Sequence, residues 1–159
     1  MVQVGDIVKY ANHNWYVIKV EKGIVTLLVK DTSFGEHAFD THCNEYKTSE
    51  IRAYLNSTIL RSIEGANGNP LLTKLSDVGC TDKVWLLSIN QAKRLPKAIK
   101  ACTVNGCRRS WWLRSCDSNT YSAANDYYGC SVQYIYYNVN RDSNIVRPAI
   151  RVKAEELAG

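Results

Sequence analysis

The chain of 159 residues has no apolar run near the roughly 18 residues that span a bilayer. A membrane-spanning helix is therefore excluded from the reading. Its start, Met1-Val2-Gln3-Val4-Gly5-Asp6, has neither the charged n-region nor the apolar h-region of a secretory leader. The expected location is the cytoplasm as synthesised, with a virion or a cell surface as possible later destinations. Six cysteines (Cys43, Cys80, Cys102, Cys107, Cys116 and Cys130) contain no CxxC, and three histidines contain no HxxxH. A structural zinc site has poor spacing here, and without a leader a disulfide framework is not the default. His13, His37 and His42 lack a neighbouring nucleophile-and-base arrangement. No metal, no cofactor and no catalytic residue is expected.

The composition, 45% hydrophobic and 22% charged, belongs to a folded globule rather than a disordered or fibrous chain. A chain of this length buries a core without staples, and no internal boundary divides it, so residues 1–159 read as a single domain. The formal charge of +5 is unevenly placed. Residues 1–115 hold 16 Lys or Arg against 10 Asp or Glu, whereas 116–159 hold four against five. A nucleic-acid reader concentrates cations on its working surface. Here the most unusual segment is the least basic, so nucleic acid is a poor candidate for the partner.

Hydrophobic patterning predicts a mixed α+β chain. Residues 1–30 read as a β-meander: Asp6–Tyr10, Trp15–Val20 and Ile24–Val29 are rich in β-branched and aromatic residues. Turn chemistry at Asn12-His13-Asn14 and Glu21-Lys22-Gly23 separates them. A helix is predicted from Thr48 or Ser49, with Ile51, Tyr54, Leu55 and Ile59 on one face, ending in the loop Gly65–Pro70. Val84–Leu87 reads as a short buried strand. Ser88-Ile89-Asn90-Gln91 has capping-box form and opens a second helix that must stop by Pro96. A loop through Cys102 and Cys107 leads to a core strand at Trp111–Ser115. The closing strand is expected to put Val146, Ile150 and Val152 on one face and Arg147 and Arg151 on the other. Pro148 confines it to an edge or to the strand entry.

Between these last two strands lies an odd segment, residues 116–145. Eighteen of its thirty residues are Tyr, Asn, Ser or Asp, and Lys, Glu, Trp and Met are missing from it. Tyrosine offers rigid amphipathic contact area, while Ser, Asn and Asp offer adaptable hydrogen bonds, the mixture found in antibody paratopes. The genetic code supplies a cause. Free replacement of the two adenines of an Asn codon reaches Tyr, Asp, Ser, Thr, Ile, Cys, Arg and Gly. It never reaches Lys, Glu, Gln, Trp or Met while the final pyrimidine stays. Gln133 is the one residue of the segment outside that rule. Val132 and Val139 are the expected core anchors, seven residues apart. An unbroken strand would point them to opposite faces, so a turn or bulge is expected within Tyr134–Asn138, lifting tyrosines outward.

Trp111-Trp112-Leu113-Arg114-Ser115, then the Asn/Tyr/Ser-rich stretch with Ala123-Ala124-Asn125 and Gly129, then Val146-Arg147-Pro148-Ala149-Ile150, resembles the variable proteins of bacterial and phage diversity-generating retroelements. Ser49–Asn56 and Trp85–Ser88 are similar to the same family, and the likeness runs from Asp6 to Val152. Cys116-Asp117 stands where many relatives carry Pro-Gly, and Ile145 where a Gly is usual. The resemblance implies a C-type lectin-like fold: small antiparallel sheets, two main helices and a long irregular loop region. It also implies a ligand-binding face within 111–152, diversified by a reverse transcriptase that mutates at adenines.

The expected contact residues are Asp117, Asn119, Tyr121, Asn125, Asp126, Tyr127, Tyr128, Tyr134, Tyr136, Tyr137, Asn138, Asn140, Arg141, Asp142 and Asn144. Trp111 and Trp112 are expected as buried anchors beneath them. Arg114 and Arg147 are expected to brace the variable loop through its backbone carbonyls, a task suited to a rigid five-donor fork. Asn125-Asp126 alone supplies too few oxygens for calcium. The partner implied is a protein or glycan on another cell or particle. Three other readings stay open: an oxidoreductase related to formylglycine-generating enzymes using Cys116 and Cys130, a nucleic-acid binder with tyrosine stacking, and a fixed-sequence carbohydrate- or protein-binding module.

Overall fold

The meander forms as the alternation dictates. In the computed structural model, which describes residues 1–30, 34–117, 120–128 and 131–157, β1 (Ile7–Tyr10), β2 (His13–Glu21) and β3 (Ile24–Val29) pair antiparallel. Ala11 and Asn12 both have positive φ at the first hairpin, as do Lys22 and Gly23 at the second. Two successive left-handed residues match the twist of a tight hairpin. The side chains of Tyr127, Tyr128 and Ser131 are outside the described set.

Ser49 caps the first helix as its residue type predicts, its hydroxyl accepting from the Arg52 amide. The helix runs as α1 (Glu50–Tyr54), widens to a π-helical turn at Leu55–Ile59 and ends as α2 (Leu60–Gly65). A short hairpin follows, β4 (Thr73–Leu75) with β5 (Cys80–Asp82). Val84–Leu87 is fully buried, but it is not a strand: only Trp85 bridges, to Ala149. A short apolar run signals burial without specifying pairing. Ser88 and Gln91 form the expected reciprocal capping box at α3 (Ile89–Lys93). Pro96 then starts α4 (Lys97–Lys100).

The expected loop through Cys102 and Cys107 is instead a hairpin, β6 (Cys102–Val104) with β7 (Cys107–Arg109). Asn105-Gly106 turns it with positive φ at both residues, a pairing typical of two-residue hairpins. The chain continues through β8 (Trp111–Cys116), β9 (Tyr121–Tyr128) and β10 (Ser131–Asn138). It closes with β11 (Ala149–Lys153) immediately after Pro148.

The result is a mixed α+β fold of small antiparallel sheets. One sheet has the order β1-β2-β3-β11 and a second β10-β9-β8. The last strand thus returns to the N-terminal meander. The Tyr10 hydroxyl links the meander to the C-terminal end of the chain, donating to Glu156 Oε1 at 2.8 Å and accepting from the Asn69 amide at 2.6 Å. The buried apolar side chains form one continuous cluster across both sheets and the helices. Among the described residues no helix is long and apolar enough to cross a membrane.

Candidate functional site

The segment 116–145 is built on β8. Trp111 and Trp112 are adjacent, so they point to opposite faces of the sheet, and both are fully buried. The Trp111 indole donates to Lys100 O at 2.9 Å and that of Trp112 to His37 O at 2.8 Å. Phe39 meets the Trp112 ring edge-on at 5.6 Å and Tyr137 does so at 6.4 Å. Each face of the sheet thus rests on a tryptophan with its polar handle satisfied.

Strands β9 and β10 pair without interruption, from Ser131 opposite Tyr128 to Asn138 opposite Tyr121. The turn or bulge expected within Tyr134–Asn138 is therefore not there. A seven-residue separation fixes opposite faces only for two residues of one strand. Val139 is buried, but it lies just beyond β10, where strand alternation no longer fixes its direction. The irregularity falls instead in β8, where register shifts between Trp112 and Cys116.

Register sorts the segment into two faces. Tyr121, Asn125, Tyr134, Tyr136 and Asn138 share the Trp111 face, and Asp126 and Tyr137 share the Trp112 face. Tyr121 and Tyr136 are open to solvent, at 39% and 43%. Asn138, opposite Tyr121, is also exposed. These three form one contiguous aromatic and amide patch. Asn140 and Asp142 continue the exposed surface past the strand end. Arg141 lays its guanidinium 3.8 Å from the Tyr137 ring centroid, a cation–π stack, and bonds Ser143 Oγ at 3.1 Å.

Other residues of the set are not on the surface. Asn125 is 1% exposed and Asn144 fully buried, and neither amide atom of either side chain has a hydrogen-bond partner among the described residues. Tyr134 is half-buried, with Lys93 and Lys100 ammonium groups 5.7 and 5.5 Å from its ring centroid. Its hydroxyl is buried and has no hydrogen-bond partner among the described residues. Asp126 accepts from Ser110 Oγ at 2.6 Å and from the Tyr137 hydroxyl. Burial, and then that bond to a carboxylate, push the Tyr137 phenol up. Asp117 is half-buried and gives its carbonyl to Asn44. Asn119 lies outside the described residues, and so do Cys130 and the side chains of Tyr127 and Tyr128.

The two bracketing arginines do not brace the variable segment as expected. Arg114 forks onto Asp77 at 2.9–3.2 Å and donates to Leu86 O and Gln91 Oε1. Arg147 is 1% exposed, not on an outer polar face, because the strand begins only at Ala149. It donates to Val29 O at 2.9 Å and Lys100 O at 3.4 Å, 4.8 Å from the Trp111 ring centroid. Burial pulls its guanidinium down to about 10. Both arginines do bond carbonyls, but those of the scaffold.

The bracing role falls to two residues that sequence reading passed over. Arg109 donates to Ser143 O at 2.6 Å while pairing with Glu36 at 2.9 Å. Asn44 Nδ2 reaches the carbonyls of Asp117 at 2.9 Å and Tyr121 at 3.1 Å. Contacts across 34 and 77 positions leave no local signal.

Among the described residues no group of three or more His, Cys, Asp or Glu is placed to hold a metal. The Cys116 thiol is raised by partial burial and by the neighbouring Asp117 carboxylate, the opposite of an activated thiolate. No protein-family model, curated protein or solved structure matches the chain.

Proposed function

We propose that this chain is a ligand-binding display protein of the retroelement-diversified type, with a C-type lectin-like fold and no catalytic activity of its own. Its hairpin face, centred on Tyr121, Tyr136 and Asn138, grips a protein or glycan on another cell or particle. The observation that carries this reading is the exposure of those three residues side by side on a sheet anchored by two buried tryptophans. Exposed aromatics on a rigid base are the usual makings of a binding hot spot. The small antiparallel sheets and the return of β11 to the meander are compatible with the proposed fold.

A second observation supports diversification. Buried polar groups in folded proteins are nearly always paired. Six buried side-chain polar atoms of Ser122, Asn125, Tyr134 and Asn144 have no partner among the described residues. All three residue types, Ser, Asn and Tyr, are encoded by an Asn codon or reached from it by adenine replacement. A segment filled by mutation at adenines carries such residues whether or not the interior can pair them.

Glycan-array and bacterial surface-protein binding by the wild type and by Tyr121→Ala and Tyr136→Ala tests the reading. The expected result is a specific signal lost in both variants at unchanged melting temperature. A signal that survives both substitutions would place the site elsewhere.

A further inference from the structure

A cavity of about 430 Å³ lies away from the hairpin face, and no residue of 116–145 lines it. Its size falls within the roughly 300–1,000 Å³ usual for small-molecule sites. One wall is the face of the first sheet that carries Ile24, Thr26 and Arg151. There β2 bulges between Val17 and Lys19, which turns the adjacent residues Ile18 and Lys19 toward the same space. A regular strand would separate them to opposite faces. The opposite wall is the turn from α3 into α4, which brings Arg94, Leu95 and Pro96.

The floor and the rim differ in chemistry. Thr26, Thr73, Trp85, Leu95 and Ile99 are buried and form the floor. The Trp85 indole N–H is buried with no acceptor among the described residues. A buried donor left without a partner is costly, so a ligand acceptor reaching it gains what the protein lacks. The rim carries four cations, Lys19, Lys74, Arg94 and Arg151, against the single carboxylate of Glu21. Lys19 and Glu21 pair with each other at 3.1 Å. Lys74, Arg94 and Arg151 form no ion pair among the described residues, so three cations face an apolar hollow.

We propose that this cavity binds a small amphipathic anion, an acyl or aryl body seated over Trp85 with a carboxylate or phosphate head held by Arg94, Lys74 and Arg151. The apolar floor strips water from the body, and the net positive rim selects the head. The site is separate from the hairpin face, and its occupancy is independent of what that face binds.

Isothermal titration of the full chain with octanoate, octyl phosphate, octanamide and acetate tests it. Octanoate or octyl phosphate is expected to bind with one-to-one stoichiometry, and the stronger of the two identifies the head group. Octanamide, equal in length but neutral, is expected to bind at least about tenfold more weakly, the worth of one charge-assisted hydrogen bond. Acetate, without the body, is expected not to bind. The double variant Lys74→Glu/Arg94→Glu, altered only at exposed positions, is expected to weaken the anion by at least about tenfold while keeping its melting temperature. Tyr136→Ala is expected to leave anion affinity unchanged. Octanamide binding as tightly as the anions, undiminished affinity in the charge-reversed variant, or no heat from either anion at millimolar concentration would overturn the proposal.

Discussion

Asn125 and Tyr134 stand directly opposite one another across β9 and β10, and each holds a buried polar group with no protein partner among the described residues. The same strands carry Tyr121 and Tyr136 out to solvent. One hairpin thus combines an exposed contact patch with an interior that polar side chains fill poorly. An interior selected for packing alone would pair these groups or replace them.

Removing such groups should therefore cost little. Asn125→Val suits a strand, and Asn144→Ala simply deletes the amide. Each is expected to leave folding stability unchanged or to raise it by about 1 kcal/mol, since no hydrogen bond is lost and desolvation is relieved. Urea denaturation measures this. A loss above about 2 kcal/mol at both positions would mean the amides do have partners, ordered water included.

Arg147 behaves oppositely. It joins the end of β3 to the end of α4 through two carbonyls and packs against Trp111. Arg147→Ala is expected to cost about 2–4 kcal/mol, because two carbonyls lose a charged donor and a cavity opens beneath Trp111. Arg147→Met keeps much of the volume without a buried charge and is expected to recover part of that loss. Equal losses in both variants would assign the whole effect to the hydrogen bonds.

Arg109 and Asn44 hold the segment without forming its core. Arg109→Ala and Asn44→Ala are each expected to cost at most about 1 kcal/mol of global stability. Amide hydrogen exchange should nevertheless accelerate selectively over 117–121 for Asn44→Ala and over 141–145 for Arg109→Ala. Exchange changed uniformly along the chain, or not at all, would remove their bracing role.

The alkaline limit of stability has a named contributor. Burial, with the Glu156 carboxylate beside it, raises the Tyr10 phenol from 10.0 to about 12. Between these values the unfolded chain has lost a proton that the folded chain keeps. Stability is thus fully present below pH 10.0 and falls as pH rises toward about 12. Tyr10→Phe removes that ionisation, so its stability should fall less steeply than wild type across the window. Parallel slopes in pH-dependent denaturation would contradict the assignment.

Much of the frame was legible because its signals are local. The meander follows from alternation within a few residues, and Ser49 and Ser88 announce their helices through their own hydroxyls. Asn105-Gly106 is an equally local hairpin signal, inside a stretch expected as a loop. What sequence could not supply is long-range. Arg147 and Arg114 invite a role beside the segment they flank, yet their partners lie at Val29, Leu86 and Asp77. Composition identified the unusual segment but could not divide it into exposed Tyr121 and Tyr136 and buried Asn125 and Asn144. That division depends on β9–β10 register and on what covers each face. The cavity beneath Arg94 depends on a bulge at Ile18 that no residue type announces.

The central claim is that mutation at adenines filled residues 116–145. The most direct measurement is the sequence of the DNA flanking the gene, searched for a near-copy of codons 111–150. Such a copy is expected, differing from the gene only where the copy has adenine, with codons 121, 136 and 138 among the differing positions. A flanking sequence without a copy, or a copy whose differences ignore adenine, would contradict it.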